Sequence, residues 1–465
     1  MNRRWWTLAV VCAATFMLLL DVTIVVVALP QVQDALAASL GDLQWTTDAY
    51  ALSLAALLLT AGSLADRYGR RRLFVIGMVI FTLASLLCGV ARSPAMLIGA
   101  RAVQGVGGAI LFTTSLALLA GTFHGRDRGT AFGVWGAVAG VATALGPILG
   151  GVLTSGLGWQ AIFLVNLPIG IAASLVAVRL VDESTAPRAA RVDGLGVVTL
   201  TAGLFSLVYA LIRAGGHGWG EDGVRLCLAL AAGLLVAFVA VEFRAAEPMI
   251  DLSLLRTPTF LGGSIAAFTM NASLFAMFLY LVLYLQDDQG LSPLQTGARL
   301  LVSSAATLVA ATAAGRLLGR VPAGWLIGPG LLLVGAGLLL MRGVSADATW
   351  THLIPGFLVS GFGAGLVNPP LASTAIGVVP PWRAGMASGV NQTFRQVGIA
   401  VGIALYGSLL GSAAAGHAGF AAALNDLLLV SGLIALAGGV LAALLIRQKD
   451  FAVAQQAPTP AKGLA

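Results

Sequence analysis

Apolar stretches of roughly twenty residues follow one another along the whole chain, separated by short breaks of charged residues, glycine and proline. The first seven fall near Trp5 to Leu29, Trp45 to Ala65, Leu73 to Ala91, Ala95 to Thr122, Gly129 to Thr154, Trp159 to Val181 and Leu195 to Ala214. Seven more fall near Arg225 to Phe243, Phe260 to Leu285, Thr296 to Leu318, Ala323 to Met341, Trp350 to Val379, Ala384 to Ser412 and Ala422 to Ile446. A helix needs roughly 20 apolar residues to cross about 30 Å of hydrocarbon, so the pattern predicts an all-α membrane protein of about fourteen transmembrane helices. The first stretch follows Arg3 and Arg4 as a secretory signal would, but it is too long, carries Asp21 and leads into further spans. It reads as a retained first helix.

Composition agrees. The chain is 58% hydrophobic and 10% charged, with a mean hydropathy of +0.94, too much apolar surface for a water-soluble domain to cover. The net charge of +7 does not point to nucleic acid, because the arginines are scattered between apolar stretches. Their distribution sets orientation instead. Alternate segments, counted from the N-terminus, hold nineteen of the 26 Lys and Arg residues, the opposite loops hold five, and Arg101 and Arg395 lie inside spans. Positively charged loops stay cytoplasmic during insertion, so both termini are expected in the cytoplasm and the number of spans is even. Cys12, Cys88 and Cys227 lie in apolar stretches without metal-ligand spacing, and His124, His217, His352 and His417 lie in loops or at span ends. Neither disulfides nor a metal centre is expected.

A weak repeat runs through the chain. Gln104-Gly-Val-Gly-Gly-Ala in span 4 matches Ser360-Gly-Phe-Gly-Ala-Gly in span 12, and Ala65-Asp-Arg-Tyr-Gly-Arg before span 3 matches Gly315-Arg-Leu-Leu-Gly-Arg before span 11. Both offsets equal eight spans, as in transporters built from repeated units. Spans 1 to 6 and 9 to 14 are therefore expected to form two six-helix bundles, residues 1–185 and 256–448, with spans 7 and 8 inserted between them in 186–255. Residues 449–465, polar and bearing Pro458 and Pro460, are expected to be a disordered cytoplasmic tail.

The loop between spans 2 and 3 reads Gly62-Ser-Leu-Ala-Asp66-Arg67-Tyr-Gly69-Arg70-Arg71-Arg72, an acid among four arginines with small residues for a tight turn. It resembles the signature cytoplasmic loop of the major facilitator superfamily. Leu20-Asp21-Val-Thr23 to Pro30 and Arg101-Ala-Val-Gln104-Gly105-Val-Gly107-Gly108 resemble motifs of its fourteen-spanner drug:proton antiporters, the EmrB/QacA type. In span 5, Gly133 followed by Gly146-Pro147-Ile-Leu-Gly150-Gly151 is similar to the motif of the superfamily's antiporters. Val26, Ala142 and Gln160 depart from the usual residues, Gln160 standing where an arginine is common, but none removes a charge thought essential. The resemblance covers essentially the whole chain and implies the major facilitator fold, with a gating role for Gly62, Asp66, Arg67, Gly69, Arg70 and Arg71.

Asp21 stands out on physical grounds alone, because an acid well inside a span is costly unless paired or neutralised. It lies nine residues before Pro30 in a span running outward, and Arg101 lies seven residues after Pro94 in a span running inward. At about 1.5 Å per residue both sit roughly 10 to 14 Å below the outer end, so they can face one another. Asp21 is the expected proton carrier and Arg101 the residue that tunes it. Gly146-Pro147 breaks the helical bonding of span 5, whereas the corresponding stretch of span 13 is taken as Gly402-Ile403. Arg395, about twelve residues into span 13 beside Asn391 and Gln392, is expected to line a cavity. Thr23, Gln104, Phe112, Asn166, Tyr280 and Tyr284 are the other expected lining residues.

The expectation is a proton-coupled antiporter that exports small lipophilic or amphiphilic compounds by alternating access. A dedicated exporter of one metabolite or self-made antibiotic fits equally. No catalytic residues cluster inside the spans, so no enzyme is expected, and no cofactor beyond the proton gradient. Partners are the substrate, protons and the bilayer, for a monomer in a bacterial cytoplasmic membrane. Span 10 contains no acid, so substrates are expected to be neutral, zwitterionic or singly charged.

Overall fold

The structure, a computed structural model, describes residues 3–123, 125–185, 193–245, 248–318, 320–345, 348–379, 384–411 and 417–451. Fourteen helical segments follow in order: α1 Arg3–Leu36, α2 Leu40–Tyr68, α3 Arg70–Gly89, α4 Pro94–Thr122, α5 Gly125–Leu157, α6 Ala161–Leu180 and α7 Gly194–His217. Then come α8 Asp222–Arg244, α9 Pro258–Asp288, α10 Pro293–Leu317, α11 Gly324–Leu340, α12 Trp350–Gly377, α13 Ala384–Leu410 and α14 His417–Leu445. Among the described residues thirteen are long and apolar enough to span a membrane, and the fourteenth, Gly324–Leu340, is a shorter apolar helix. The end of the bundle at which α1 begins is here the terminal end; the other is the far end.

Local chemistry starts the helices where they start. Ser39 accepts from the Asp42 amide at 3.2 Å while Asp42 accepts from the Ser39 amide at 2.8 Å, a capping box for α2. Ser292 does the same for α10 with Gln295, and Pro293 follows with its pre-set φ. Helix α9 contains two π-helical turns, Asn271–Phe275 and Tyr284–Asp288, that bracket Tyr280.

Packing reproduces the repeat pair by pair. Helices α2, α3 and α5 pack on α4, α4 and α1 as α10, α11 and α13 pack on α12, α12 and α9. The small-residue motifs explain why, because glycine lets helix backbones approach. A Cβ on Gly105 would lie 2.5 Å from the Tyr50 carbonyl of α2, and one on Gly361 would lie 2.3 Å from the Ser303 carbonyl of α10. Gly107 likewise abuts Phe81 of α3 at 2.7 Å, and Gly363 abuts Gly330 of α11 at 2.5 Å. The two inserted helices pair with each other, and α7 leans on α2 and α13.

Two seams join the halves, α5 against α10 and α2 against α13. At the far end both are tight. A Cβ on Gly297 would lie 2.2 Å from the Pro147 carbonyl, and one on Gly151 would lie 2.6 Å from the Pro293 carbonyl. The largest apolar cluster also bridges the halves there, through Leu29 of α1, Leu283 of α9 and Leu410 of α13. Toward the terminal end the α5–α10 seam loosens: a Cβ on Gly133, Gly136 or Gly140 of α5, or on Gly315 of α10, would meet nothing within 4 Å.

Three sequence expectations change. The loop of Gly62 to Arg72 is a single residue, because α2 runs on through Tyr68 and α3 begins at Arg70, leaving only Gly69 as the break. In span 13 the counterparts of Gly146 and Gly150 are Gly398 and Gly402. The former pair abuts Thr23 and Ile24 of α1, the latter Phe268 and Ala272 of α9. The asymmetry with span 5 therefore comes down to Pro147 standing opposite Ile399. The tail begins in order: Asp450 accepts from the Thr259 amide at 3.2 Å and hydroxyl at 2.6 Å, tying the helical turn after α14 to the start of α9. Residues 452–465 lie outside the described residues, as do His124, Arg188, Arg191 and Arg383.

Candidate functional site

Five helices of the N-terminal half converge on one carboxylate. Asp21 of α1 and Arg101 of α4 form an ion pair with 0% and 1% side-chain exposure. Gln104, one turn after Arg101, donates to Asp21 Oδ1 at 2.8 Å, and Asn166 of α6 donates to the same oxygen at 3.3 Å. Ser85 of α3 accepts from both amides, at 2.8 Å from Gln104 and 3.2 Å from Asn166. The arginine is held equally firmly. Its Nη1 donates to Gln104 Oε1 at 2.7 Å, its Nε to the Thr46 carbonyl of α2 at 3.1 Å, and the guanidinium lies 4.2 Å from the Tyr50 ring centroid.

The chemistry follows from where these groups sit. A buried charge pair is tolerated only when the remaining donors and acceptors are satisfied, and here fixed amides and a hydroxyl supply that satisfaction. Because Gln104 rides on the same helix as Arg101, any rearrangement that pulls α4 from α1 would carry both away together and leave Asn166 of α6 as the remaining donor to Asp21. Asp21 and Arg101, expected at one depth on antiparallel spans, meet in space. Gln104 and Asn166, expected to line a cavity, are instead hydrogen-bond partners of Asp21.

The gating-loop residues make a second cluster at the terminal end. Arg70 grips Asp66 through Nη2 at 2.8 Å and Nε at 2.9 Å, one helical turn apart across the break. Arg67 stacks over Tyr68 at 5.6 Å. Glu183, which sequence reasoning left in an unremarked polar linker, places its carboxylate at the start of α3 and accepts from the amides of Arg71 at 3.0 Å and Arg72 at 3.2 Å. Unpaired amides and the positive end of the helix dipole make that position favourable for an anion. Gly69 has φ +112°, and a Cβ there would lie 2.8 Å from the Glu183 carboxyl carbon. The positive φ favours glycine, and a side chain there would also push the Glu183 carboxylate off the amides it caps. Gly62 is less constrained, with its nearest neighbour at 4.0 Å.

The remaining residues divide. Thr23 is part-buried: its hydroxyl bonds back to the carbonyls of Leu19 and Leu20 at 3.2 Å, and it fills the space under Gly146. Tyr280 and Tyr284 are sealed at the far end, 0% and 1% exposed. The Tyr280 hydroxyl donates to the Ile403 carbonyl and accepts from Gln44 at 2.8 Å, while Tyr284 donates to the Ser345 carbonyl at 2.9 Å. Apolar aromatics read as cavity wall turn out to be clamps, because their hydroxyls find carbonyls on neighbouring segments. Phe112 is half-buried against the N-terminal core. Arg395 donates to Asn368 Oδ1 of α12 at 2.9 Å and, more weakly, to Asn391 Oδ1 at 3.4 Å; Gln392 beside it is half-buried. No acid is paired with Arg395 among the described residues.

Residues 11–403 match the Major Facilitator Superfamily. The chain is 35% identical over 412 residues to the tetracenomycin C resistance and export protein of Streptomyces glaucescens, covering 88% of this chain and 77% of that protein. It is 37% identical over 412 residues to the multidrug resistance protein Stp of Mycobacterium tuberculosis (strain CDC 1551 / Oshkosh), with coverage of 88% and 76%. To the puromycin resistance protein pur8 of Streptomyces alboniger it is 38% identical over 424 residues, with coverage of 89% and 83%. The crystal structure of the human organic anion transporter MFSD10 shares the fold, with a TM-score of 0.64, 16% identity, and coverage of 95% of this chain and 100% of that one. With its paired six-helix bundles and this sequence similarity across most of its length, the chain belongs to the Major Facilitator Superfamily.

Proposed function

We propose that this chain is a proton-driven antiporter of the fourteen-spanner drug:proton group, exporting small lipophilic or amphiphilic compounds across a bacterial cytoplasmic membrane. Both termini lie in the cytoplasm, in keeping with the arginine distribution. The far end then faces outward, and the loosened α5–α10 seam corresponds to a state open to the cytoplasm. The observation that carries the reading is the buried Asp21–Arg101 pair, because a transporter driven by a proton gradient needs one titratable group whose partner can be withdrawn by the conformational cycle.

Arg395, held among the described residues by the neutral amides of Asn368 and Asn391, is the polar contact for substrate, suited to acceptor oxygens or a single negative charge. Such a cation disfavours dications. A second reading, a dedicated exporter of one antibiotic, draws support from relatives named for single compounds, such as the tetracenomycin C and puromycin resistance proteins. The protein works as a monomer in either case.

The test is accumulation of a panel of fluorescent lipophilic compounds in pump-deficient bacteria. Expression of the wild type should lower accumulation of at least one compound, and a protonophore or Asp21→Asn should abolish the effect. Efflux that survives both treatments would overturn the proton-coupled reading. A response confined to one compound class would select the dedicated exporter.

A further inference from the structure

A second acid lies buried in the seam between the halves. Asp48 of α2 is 0% exposed, and among the described residues neither carboxyl oxygen has a hydrogen-bond partner. It follows Gln44 by one helical turn on the face turned toward α9 and α13, where Gln44 bonds Tyr280 of α9 and the Ile403 carbonyl of α13. Eight residues into α2 from Leu40, it sits about 12 Å below the far end, near the depth of Asp21. The titratable and charged groups around it are few. Tyr280 of α9 lies within electrostatic reach, Tyr406 of α13 packs against Tyr280 with ring centroids 6.0 Å apart, and Arg101 of α4 reaches α2 at the Thr46 carbonyl and over the ring of Tyr50, with its charge already met by Asp21 of α1. None of them donates to Asp48.

A carboxylate enclosed without a donor or counter-ion is not a tolerable state of a membrane-embedded seam, whereas a neutral carboxylic acid is. We propose that Asp48 is a second proton-binding site, distinct from Asp21, and that the far-end seam between α2 and α13 closes only over its protonated form. The step is a simple balance: when the seam opens, the carboxylic acid loses its proton to water on the far side, and when it closes, one proton from that side is bound again. The proton returns to the compartment it came from, so Asp48 sets when the far end closes without adding to the protons moved across. The device is one-sided. The repeat pairs Tyr50 with Ser303 at the glycine contacts, which sets Leu301 opposite Asp48 in the α5–α10 seam.

The inference rests on the alternating-access reading above, and its test reads distance rather than transport so that the two can fail separately. Spin labels at exposed Arg92 and Thr349, in protein with Cys12, Cys88 and Cys227 replaced, report the far-end separation by double electron–electron resonance. The Asp21→Asn background removes the first proton site. Raising pH should there populate a far-end-open distance, by up to tenfold in the open/closed ratio per pH unit. Adding Asp48→Asn should leave the far end closed at every pH, and Asp48→Glu should retain a pH response. Infrared difference spectra of the closed protein with Asp48 intact should show a protonated-carboxyl band that Asp48→Asn lacks and Asp48→Glu shifts. A pH response unchanged by Asp48→Asn, no pH response at all, or no such band would each overturn the proposal.

Discussion

Replacing Arg101 by methionine is the perturbation whose size the structure fixes best. The substitution removes the ion pair to Asp21, the 2.7 Å bond to Gln104, the 3.1 Å bond to the Thr46 carbonyl and the charge over Tyr50. The apolar stem remains, so packing changes little, and the dominant effect is the uncompensated Asp21 charge. Removing one partner of a buried pair typically costs about 3–5 kcal/mol. Asp21→Asn should cost less, because Arg101 keeps Gln104, the Thr46 carbonyl and the Tyr50 ring, and the new amide oxygen still accepts from it. In Asp21→Asn/Arg101→Met no buried charge is left without a partner. The double variant should therefore be less destabilised than the sum of the singles by at least about 2 kcal/mol, the range seen for directly coupled residues. The assay is a double-mutant cycle of unfolding free energies in mixed micelles, followed by tryptophan fluorescence. Additivity to within about 0.5 kcal/mol would refute the claim that the two charges hold each other in the native bundle.

Gly297→Ala, which sets a Cβ 2.2 Å from the Pro147 carbonyl, should force α5 and α10 apart at the far end and slow efflux at least tenfold, whereas Gly233→Ala on the inserted helix α8, with nothing within 4 Å, should leave efflux unchanged. Glu183→Ala strips the acceptor from the Arg71 and Arg72 amides and should destabilise the start of α3 by about 1 kcal/mol, read as faster amide exchange there. Gly69→Ala should cost more, and Glu183→Ala should relieve only the steric part of it, because the positive φ penalty stays; unfolding of the double variant measures the remainder. In the α7–α8 turn Arg213 donates to Glu221 at 2.6 and 2.9 Å and holds its carboxyl below the usual value. This clasp contributes fully above the ordinary carboxylate pKa and is lost as pH falls through the lowered folded value, so amide exchange in the turn should accelerate only in acid, and Glu221→Gln should remove that pH step.

The sequence made the spans, the repeat and the Asp21–Arg101 pairing legible because each rests on a one-dimensional signal: apolar length, a glycine spacing shared at an eight-span offset, and depth counted along two antiparallel helices. What surrounds the pair was not legible in the same way. Ser85 reaches Gln104 and Asn166 only because α3, α4 and α6 meet at one level, which no spacing within a helix encodes. Tyr280 and Tyr284 read as cavity wall from their aromatic rings, but their hydroxyls close the far end once α9 crosses α13 and the segment after α11. Glu183 belongs to a linker with no periodicity to mark it. Asp48 was hidden by a boundary: a second span begun at Trp45 leaves it three residues deep among interfacial groups, whereas the Ser39 capping box starts α2 at Leu40 and carries Asp48 a further turn inward. The criterion that singled out Asp21, an acid inside a span, would have found it had the cap been weighed ahead of the hydropathy.

The central claim is that Asp21 couples substrate export to proton entry. Purified protein reconstituted into vesicles with an imposed pH gradient, loaded with a transported fluorescent compound and an internal pH dye, tests it most directly. Wild type should move substrate and protons in opposite directions, each flux requiring the other, while Asp21→Asn should still bind substrate but lose gradient-driven accumulation. Accumulation by Asp21→Asn at the wild-type rate, with proton movement intact, would contradict the account.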